Sequence, residues 1–216
     1  MQWLRSTISY LVHLAYYAFP FSMKKFVHCL LAFSLLVPLA SCTTKNQLTL
    51  EQSLKNPLFA ERYGNEMTDR MTELEIQHDP LLKEGRKGKY AMDAKEQALT
   101  LGDAATKKRH EGTYGSFVTV KEETDGSVLF ADSMLYLSPN FATYPGPSLH
   151  LFITTIVDPR NVQFPDGTAI DLGRLESPYG AGQYAVPKNA KQGAYRTVVL
   201  WDTRLERVYS FAQLSR

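Results

Sequence analysis

Few residues in the sequence have the type and spacing that chemistry at a protein site requires. Beyond position 42 the histidines are His78, His110 and His150, and none has the i, i+4 or short-spaced partner that metal sites usually show. His150 alternates with leucines on both sides, so its side chain is expected on the opposite face of a strand. With Asp202 it would form a histidine–carboxylate pair or half of a metal site. The alternative is an isolated surface histidine.

The sequence motifs of hydrolases and nucleotide-binding proteins are missing. There is no Gly-x-Ser-x-Gly elbow, no His-Glu-x-x-His pair and no phosphate-loop spacing. Gly180-Ala181-Gly182 lacks the third glycine of a dinucleotide-binding loop and predicts a turn. The sequence therefore assigns no catalytic residue and no cofactor, although a metal at His150 and Asp202 stays open.

Aromatic side chains are the second group of candidates, because the chain contains 12 tyrosines. Tyr144, Tyr184 and Trp201 lie in or near predicted β-elements. If exposed, they would stack on sugar rings or contact a protein partner. The alternative is that they fill a core, since aromatic residues also favour strands.

Charge and cysteine content exclude several classes of function. The chain has 24 Lys and Arg against 22 Asp and Glu, a net charge of +2, and its longest basic run is 107–109. Nucleic acid is therefore not an expected partner, since phosphate binding needs a concentrated positive face. Two cysteines cannot build a disulfide scaffold or a cysteine-based metal site.

The first 41 residues contain bases but no acid and predict a leader, not part of the fold. Lys24-Lys25 precedes an apolar run over 26–39, and Leu39-Ala40-Ser41-Cys42 then resembles the bacterial lipoprotein signal. We expect translation to start at Met23, cleavage before Cys42, and a lipid on the Cys42 thiol. The alternative is a two-part leader that includes residues 1–22. The mature protein would be anchored in the bacterial cell envelope, facing the periplasm or the exterior.

Residues 42–109 are predicted to hold a polar tether, 42–55, and a helical segment, 56–109. Asn56-Pro57 is a helix start, and apolar residues then recur every three or four positions. This stripe is predicted to pack on the following domain rather than on a membrane; it contains Phe59, Tyr63, Met67, Met71 and Leu74. A shorter helix is predicted over 94–101, with a capping box at Asp93, between a charged loop at 83–89 and a connector at 106–110.

Residues 110–216 are predicted to form an antiparallel β-sandwich or small barrel, so the fold class is mainly β with a preceding helical segment. Seven short runs of β-type residues follow one another without helices between them. They cover 116–121, 128–131, 134–137, 149–153, 183–186, 197–201 and 208–211. The unbroken apolar run over 197–201 predicts a strand covered on both faces.

Six short blocks in this half carry a family resemblance. They are Asn140-Phe141, Gly146 to Ile153, Ile170 to Leu175, Gly182 to Pro187, Tyr195 to Trp201 and Phe211 to Leu214. In this order they resemble the DM-thirteen domain, the electron-transfer domain of Skeletor-like proteins. The resemblance implies an all-β sandwich and a conjectured redox role. In that family the late-strand tryptophan is usually followed by a cysteine, on which the redox idea rests, whereas here Trp201 is followed by Asp202.

The sequence is therefore consistent with two alternative functions. The first is a membrane-anchored extracytoplasmic binding module, whose partner is an unknown protein or small molecule. The second is an electron-transfer or metal-binding protein of the DM-thirteen type, in which Asp202 and His150 replace thiol chemistry. A metal titration separates the two.

Overall fold

The helical segment begins where its capping signal predicts. The computed structural model describes residues 48–216, which form one compact unit; the predicted leader and Cys42 lie outside them. Helix α2 spans Pro57–Ile76, and the Asn56 side chain accepts a hydrogen bond from the Leu58 N–H. A short helix, α1, occupies Leu50–Ser53 within the predicted tether, because Thr49 and Gln52 form a reciprocal capping box. None of the described helices has the length and apolar composition needed to cross a membrane.

The second long helix corrects the sequence prediction. Helix α3 spans Gly85–Glu111, so most of the expected charged loop at 83–89 and the expected connector at 106–110 are helical, and Asp93 lies inside the helix. A 3-10 turn over Pro80–Lys83 joins it to α2. The buried face of α3 consists of small residues: Gly88, Ala91, Ala98, Gly102 and Ala105. A stripe of small residues gives only a weak hydrophobic pattern in the sequence, because glycine and alanine are much less hydrophobic than the residues that usually mark a buried helix face.

Helices α2 and α3 pack against each other as a hairpin. A Cβ added to Gly64 would lie 2.7 Å from the Ala98 carbonyl oxygen and 2.8 Å from the Gly102 nitrogen. Glu61 pairs with Arg109 at 2.8 Å, and Glu75 with Lys95 at 2.6 Å. The backbones approach so closely because these positions have little or no side chain.

The apolar stripe of α2 does not pack on the β domain as predicted. Its residues are half-buried along the hairpin, where α2 lies mainly against α3. At the first turn of α2, Leu58 packs with Leu129, Ala131 and Tyr136 of the β domain. The Asn56 amide also donates to the Leu137 carbonyl at 2.7 Å. The contact between the helices and the sheet is thus concentrated at the start of α2 and the end of α3.

Ten strands follow the hairpin. They are β1 Thr113–Thr119, β2 Thr124–Asp125, β3 Ser127–Ala131, β4 Met134–Leu137, β5 Ala142–Thr143, β6 Leu149–Thr154, β7 Ile170–Arg174, β8 Gly182–Ala185, β9 Thr197–Asp202 and β10 Arg207–Gln213. Eight of them form one antiparallel sheet in the order β7-β6-β9-β10-β1-β3-β4-β8, and β2 pairs with β5. All seven predicted strands are present, which confirms the mainly-β prediction.

The large sheet curls into a nearly closed barrel. Its two edge strands, β7 and β8, lie next to each other. The hydroxyl of Tyr184, on β8, accepts a hydrogen bond from the Glu176 N–H just after β7. We call the line where β7 and β8 meet the seam; it runs down one side of the barrel.

Side chains fill both the inside and parts of the outside of the barrel. Inward-facing residues of β1, β3, β4, β6, β8, β9 and β10 form the main core. A second cluster covers the outer face of β6, β9 and β10, where Phe164 from the β6–β7 loop packs on Trp201. Every residue of β9 is buried, as expected for a strand covered on both faces.

Candidate functional site

Asp202, which occupies the position where the resemblance places a cysteine, is the last residue of β9. Its neighbour in β6 is Leu149, so its side chain faces the inside of the barrel at one end. The residue is 0 % exposed. Oδ1 accepts hydrogen bonds from the N–H groups of Arg204 and Leu205, both at 2.9 Å, and Oδ2 accepts one from the Ser148 N–H at 3.2 Å. The carboxylate thereby holds the β9–β10 turn and the loop that precedes β6.

This set of donors determines the ionisation of Asp202. Burial alone raises the pKa of a carboxyl group, because it disfavours the charged form. The N–H donors of Leu205, Ser148 and Arg204, together with the charge of Arg207, outweigh that effect and bring the pKa of Asp202 below its ordinary value. The group is therefore an anion at neutral pH, with its oxygens directed at backbone N–H groups.

The structure does not bring His150 and Asp202 together. His150 is the neighbour of Trp201 and points to the outside of the barrel, opposite Asp202. Its Nδ1 donates instead to the Asp171 carboxylate on β7, with 2.8 Å between Nδ1 and Oδ2. Within residues 48–216 no group of three or more histidine, cysteine, aspartate or glutamate side chains is arranged to hold a metal ion. The half metal site expected from the sequence is thus not assembled from this pair.

Two of the three candidate binding aromatics are buried, which corrects the prediction. Tyr184 is 7 % exposed and lies in the main core, where burial raises its pKa. Trp201 is 8 % exposed and belongs to the outer cluster, with its ring centroid 5.2 Å from that of Phe164. Both fill space between layers, so neither offers a free face to a ligand.

Tyr144 is exposed, and the structure adds a second tyrosine beside it. Tyr144 is 57 % exposed and Tyr179 is 62 % exposed. Both line an open pocket of about 240 Å³, here called the tyrosine pocket, together with Glu123, Asp125, Ala142 and Thr143. An arrangement of two aromatic rings and two carboxylates suits ligands that carry a positive charge or several hydroxyl groups.

The two tyrosines are held in place by backbone hydrogen bonds between segments far apart in sequence. Ala142 and Tyr179 form an isolated β-bridge. The Thr143 N–H donates to the Pro178 carbonyl at 3.0 Å, and the Gly180 N–H donates to the Phe141 carbonyl at 2.8 Å. Beneath them the buried hydroxyls of Thr124 and Thr143 are 3.0 Å apart and hydrogen bonded. The backbone segments that carry both tyrosines are therefore joined by hydrogen bonds of the chain itself.

A second pocket lies next to the first, along the same two segments. It measures about 470 Å³ and is lined by Pro145, Gly146, Leu149, Arg174, Leu175, Glu176 and Pro178. Leu149 belongs to the main core and Leu175 packs against it. This seam pocket has an apolar floor and one charge of each sign at its rim.

Comparison with known proteins finds a family match in this part of the chain. The family model described as Electron transfer DM13 matches residues 116–214, which run from within β1 to just beyond β10. No curated protein and no solved structure matches the chain. The barrel that carries Asp202 and the tyrosine pocket is a DM13 electron-transfer domain at residues 116–214.

Proposed function

We propose that this protein is a lipid-anchored binding protein of the bacterial cell envelope, attached through Cys42, whose DM13 domain takes its ligand at the tyrosine pocket. The lipobox-like sequence before Cys42 supports the anchor, and the leader that precedes it supports export. The anchor would keep the barrel at the membrane surface while the pocket stays open to the surrounding compartment.

One observation carries the proposal: Tyr144 and Tyr179 are mostly exposed and line the same pocket as two carboxylates. Large aromatic side chains usually bury most of their area, and exposed clusters of them are typical of binding surfaces. Among the residues that line this pocket, Glu123 and Asp125 are charged and both are acidic. The chemistry favours an organic cation, because an ammonium group gains from both the ring faces and the carboxylates.

The proposal is tested by titrating the chain from Thr43 onward with choline and, as an uncharged comparison, with maltose. We expect choline to shift the backbone NMR signals around 142–144 and 177–180. Tyr144→Ala and Tyr179→Ala should each abolish the shifts, whereas Tyr90→Ala, which removes an exposed tyrosine from the helical hairpin, should not. Shifts with maltose but not choline would assign a sugar site instead. If neither probe shifts these signals, the proposal that the tyrosine pocket is the binding site is wrong.

The match to the electron-transfer family favours a second function, in which the domain passes electrons. The fully buried Asp202 cannot undergo thiol chemistry, so this function needs a different redox group. A metal held by the His150–Asp171 pair, with its remaining ligands supplied from outside the chain, would supply one. Titration with Cu²⁺, followed by optical and electron paramagnetic resonance spectra, separates this function from the first.

A further inference from the structure

The end of the helical hairpin that lies farthest from the barrel has an unusual surface. This hairpin tip, residues 76–90, contains the end of α2, the 3-10 turn and the start of α3. Its cations, Lys83, Arg86, Lys87 and Lys89, are all exposed. Within residues 48–216, Lys87 pairs with Glu84, whereas the other three cations have no ion-pair partner.

Exposed apolar side chains lie beside these cations. Ile76 is 73 % exposed and Tyr90 is 76 % exposed, and no other large hydrophobic residue in the described part of the chain is as exposed as these two. The tip thus combines unpaired positive charge with apolar and amphipathic side chains in water. Neither feature helps the hairpin to fold, since both point away from the α2–α3 contact.

We propose that the hairpin tip is a membrane contact site for anionic phospholipid headgroups. An anionic bilayer attracts cations. Each lysine or arginine near its surface raises the partition coefficient of the protein onto the bilayer by about fivefold. An isoleucine and a tyrosine at the same surface enter the boundary between headgroups and acyl chains, where amphipathic rings are preferred. A soluble polyanion would use the same cations but gains nothing from Ile76, so the apolar pair favours a bilayer.

The dimensions of the chain permit this contact while the protein is anchored. Helix α2 is about 30 Å long, from a rise of about 1.5 Å per residue. Residues 42–49, which precede α1, span at most about 30 Å when extended. The tip can therefore reach the bilayer that holds a lipid on Cys42. In this arrangement the hairpin would fix the orientation of the barrel over the membrane.

The contact is measured without the anchor, so that it is independent of acylation at Cys42. The chain from Thr43 onward is sedimented with vesicles of phosphatidylcholine alone and with an equimolar mixture of phosphatidylcholine and phosphatidylglycerol. We expect binding to the mixed vesicles that weakens at high salt. Circular dichroism of every variant checks that the helices are retained.

Matched variants assign the binding to the tip. The triple variant Lys83→Gln, Arg86→Gln, Lys89→Gln should lose at least tenfold in partitioning, and Ile76→Ser with Tyr90→Ser should also weaken it. A control that removes three exposed cations elsewhere, Lys107→Gln, Lys121→Gln and Lys191→Gln, should bind more tightly than the tip variant. Equal loss in tip and control variants would overturn the proposal. Binding to heparin with none to mixed vesicles would also overturn it, because the partner would then be a soluble polyanion.

Discussion

Gly146 lies against the carboxylate of Asp202 so closely that a Cβ added to it would be 2.5 Å from Oδ2 of Asp202. The same Cβ would lie 2.7 Å from the hydroxyl oxygen of Tyr209. Contacts this short essentially do not occur in folded proteins, so with a side chain at position 146 either the loop over the end of β9 or the side chains of Asp202 and Tyr209 would have to shift. The resemblance to the DM-thirteen family places a cysteine at position 202, and this glycine would cover it as it covers the aspartate.

The redox consequence of Asp202 can be tested directly. Cys42 is the last cysteine in the sequence, so the chain from Thr43 onward contains no thiol. We expect it to show no reversible voltammetric wave when metal is removed by chelation. Asp202→Cys restores the residue that the family resemblance implies, but this single buried thiol has no second thiol with which to form a disulfide, so we expect no reversible wave from this variant without metal either. A metal-free wave in the unaltered chain would show that a redox group other than a thiol is present.

Stability should fall in acid, because Asp202 and Asp166 lose their charge there. Burial raises the pKa of Asp166, but the Thr154 and Thr168 hydroxyls and the Thr168 N–H outweigh it, so its pKa, like that of Asp202, lies below the ordinary 3.8. A lowered folded-state pKa adds stability that is fully present above the unfolded value and disappears as pH falls through the folded one. Urea unfolding measured from neutral pH downward should therefore show a decline below about pH 4.

Asp202→Asn is the control for this pH dependence. The amide keeps one acceptor oxygen for three N–H donors, so we expect a loss of about 1–3 kcal/mol at neutral pH. The decline in acid should become shallower, since one of the two carboxyl groups no longer titrates. An unchanged acid profile would mean that Asp202 does not contribute to it.

Asn56 should stabilise the protein through two kinds of contact. It caps α2 by accepting from the Leu58 N–H, and its amide donates to the Leu137 carbonyl on β4 and, at 3.3 Å, to the Gly182 carbonyl on β8. Asn56→Asp keeps the cap but loses the donor, whereas Asn56→Ala loses both. We expect losses of about 1–3 kcal/mol for the buried hydrogen bond and about 1 kcal/mol more for the cap. Thermal unfolding measures both, and Thr49→Ala, an exposed cap of the short α1, should have a smaller effect.

The close approach of α2 and α3 predicts opposite effects of the same substitution at two glycines. Gly64→Ala should destabilise the protein, because its Cβ would fall within 3 Å of backbone atoms of Ala98 and Gly102. Gly85→Ala meets no atom within 4 Å, so it should stabilise the protein by up to about 1 kcal/mol through helix propensity. The melting temperatures of the two variants should therefore shift in opposite directions, downward for Gly64→Ala and upward for Gly85→Ala. Equal stabilisation by both substitutions would contradict the packing described for the hairpin.

The proposed anchor is tested by Cys42→Ala. Without the thiol the diacylglyceryl group cannot be attached, so an unprocessed precursor should accumulate. Labelling with a radioactive fatty acid should mark the unaltered protein and leave the variant unlabelled. Equal labelling of the variant would show that the lipid is attached at another residue, and the assignment of Cys42 as the lipidation site would be wrong.

The sequence predicts those parts of the fold that depend on local signals. The start of α2 follows from Asn56-Pro57, and the strands follow from short alternating or apolar runs. The length of α3 does not follow, because its buried face is made of glycine and alanine. The sequence does not predict strand β7, because the apolar alternation there is limited to Ile170 and Leu172.

The candidate site was less predictable, because it depends on contacts between distant segments. Alternation places Tyr184 opposite its strand neighbours, but it does not tell which face of the strand is the core. Tyr179 lies in a turn without periodicity, and its position beside Tyr144 results from the bridge to Ala142. The separate partners of His150 and Asp202 follow from strand register, which pairs His150 with Trp201 and Asp202 with Leu149.

The barrel should resist opening less along the seam than between any other pair of neighbouring strands. Separating most neighbouring strands breaks a ladder of backbone hydrogen bonds, but within residues 48–216 the hydrogen bond that crosses from β7 to β8 is the one between Glu176 and Tyr184. We therefore expect fluctuations that admit water to the core to begin along this line, next to Leu149 and Leu175. The edges of β7 and β8 that separate there present unpaired backbone N–H and C=O groups, to which an extended strand of another molecule can add.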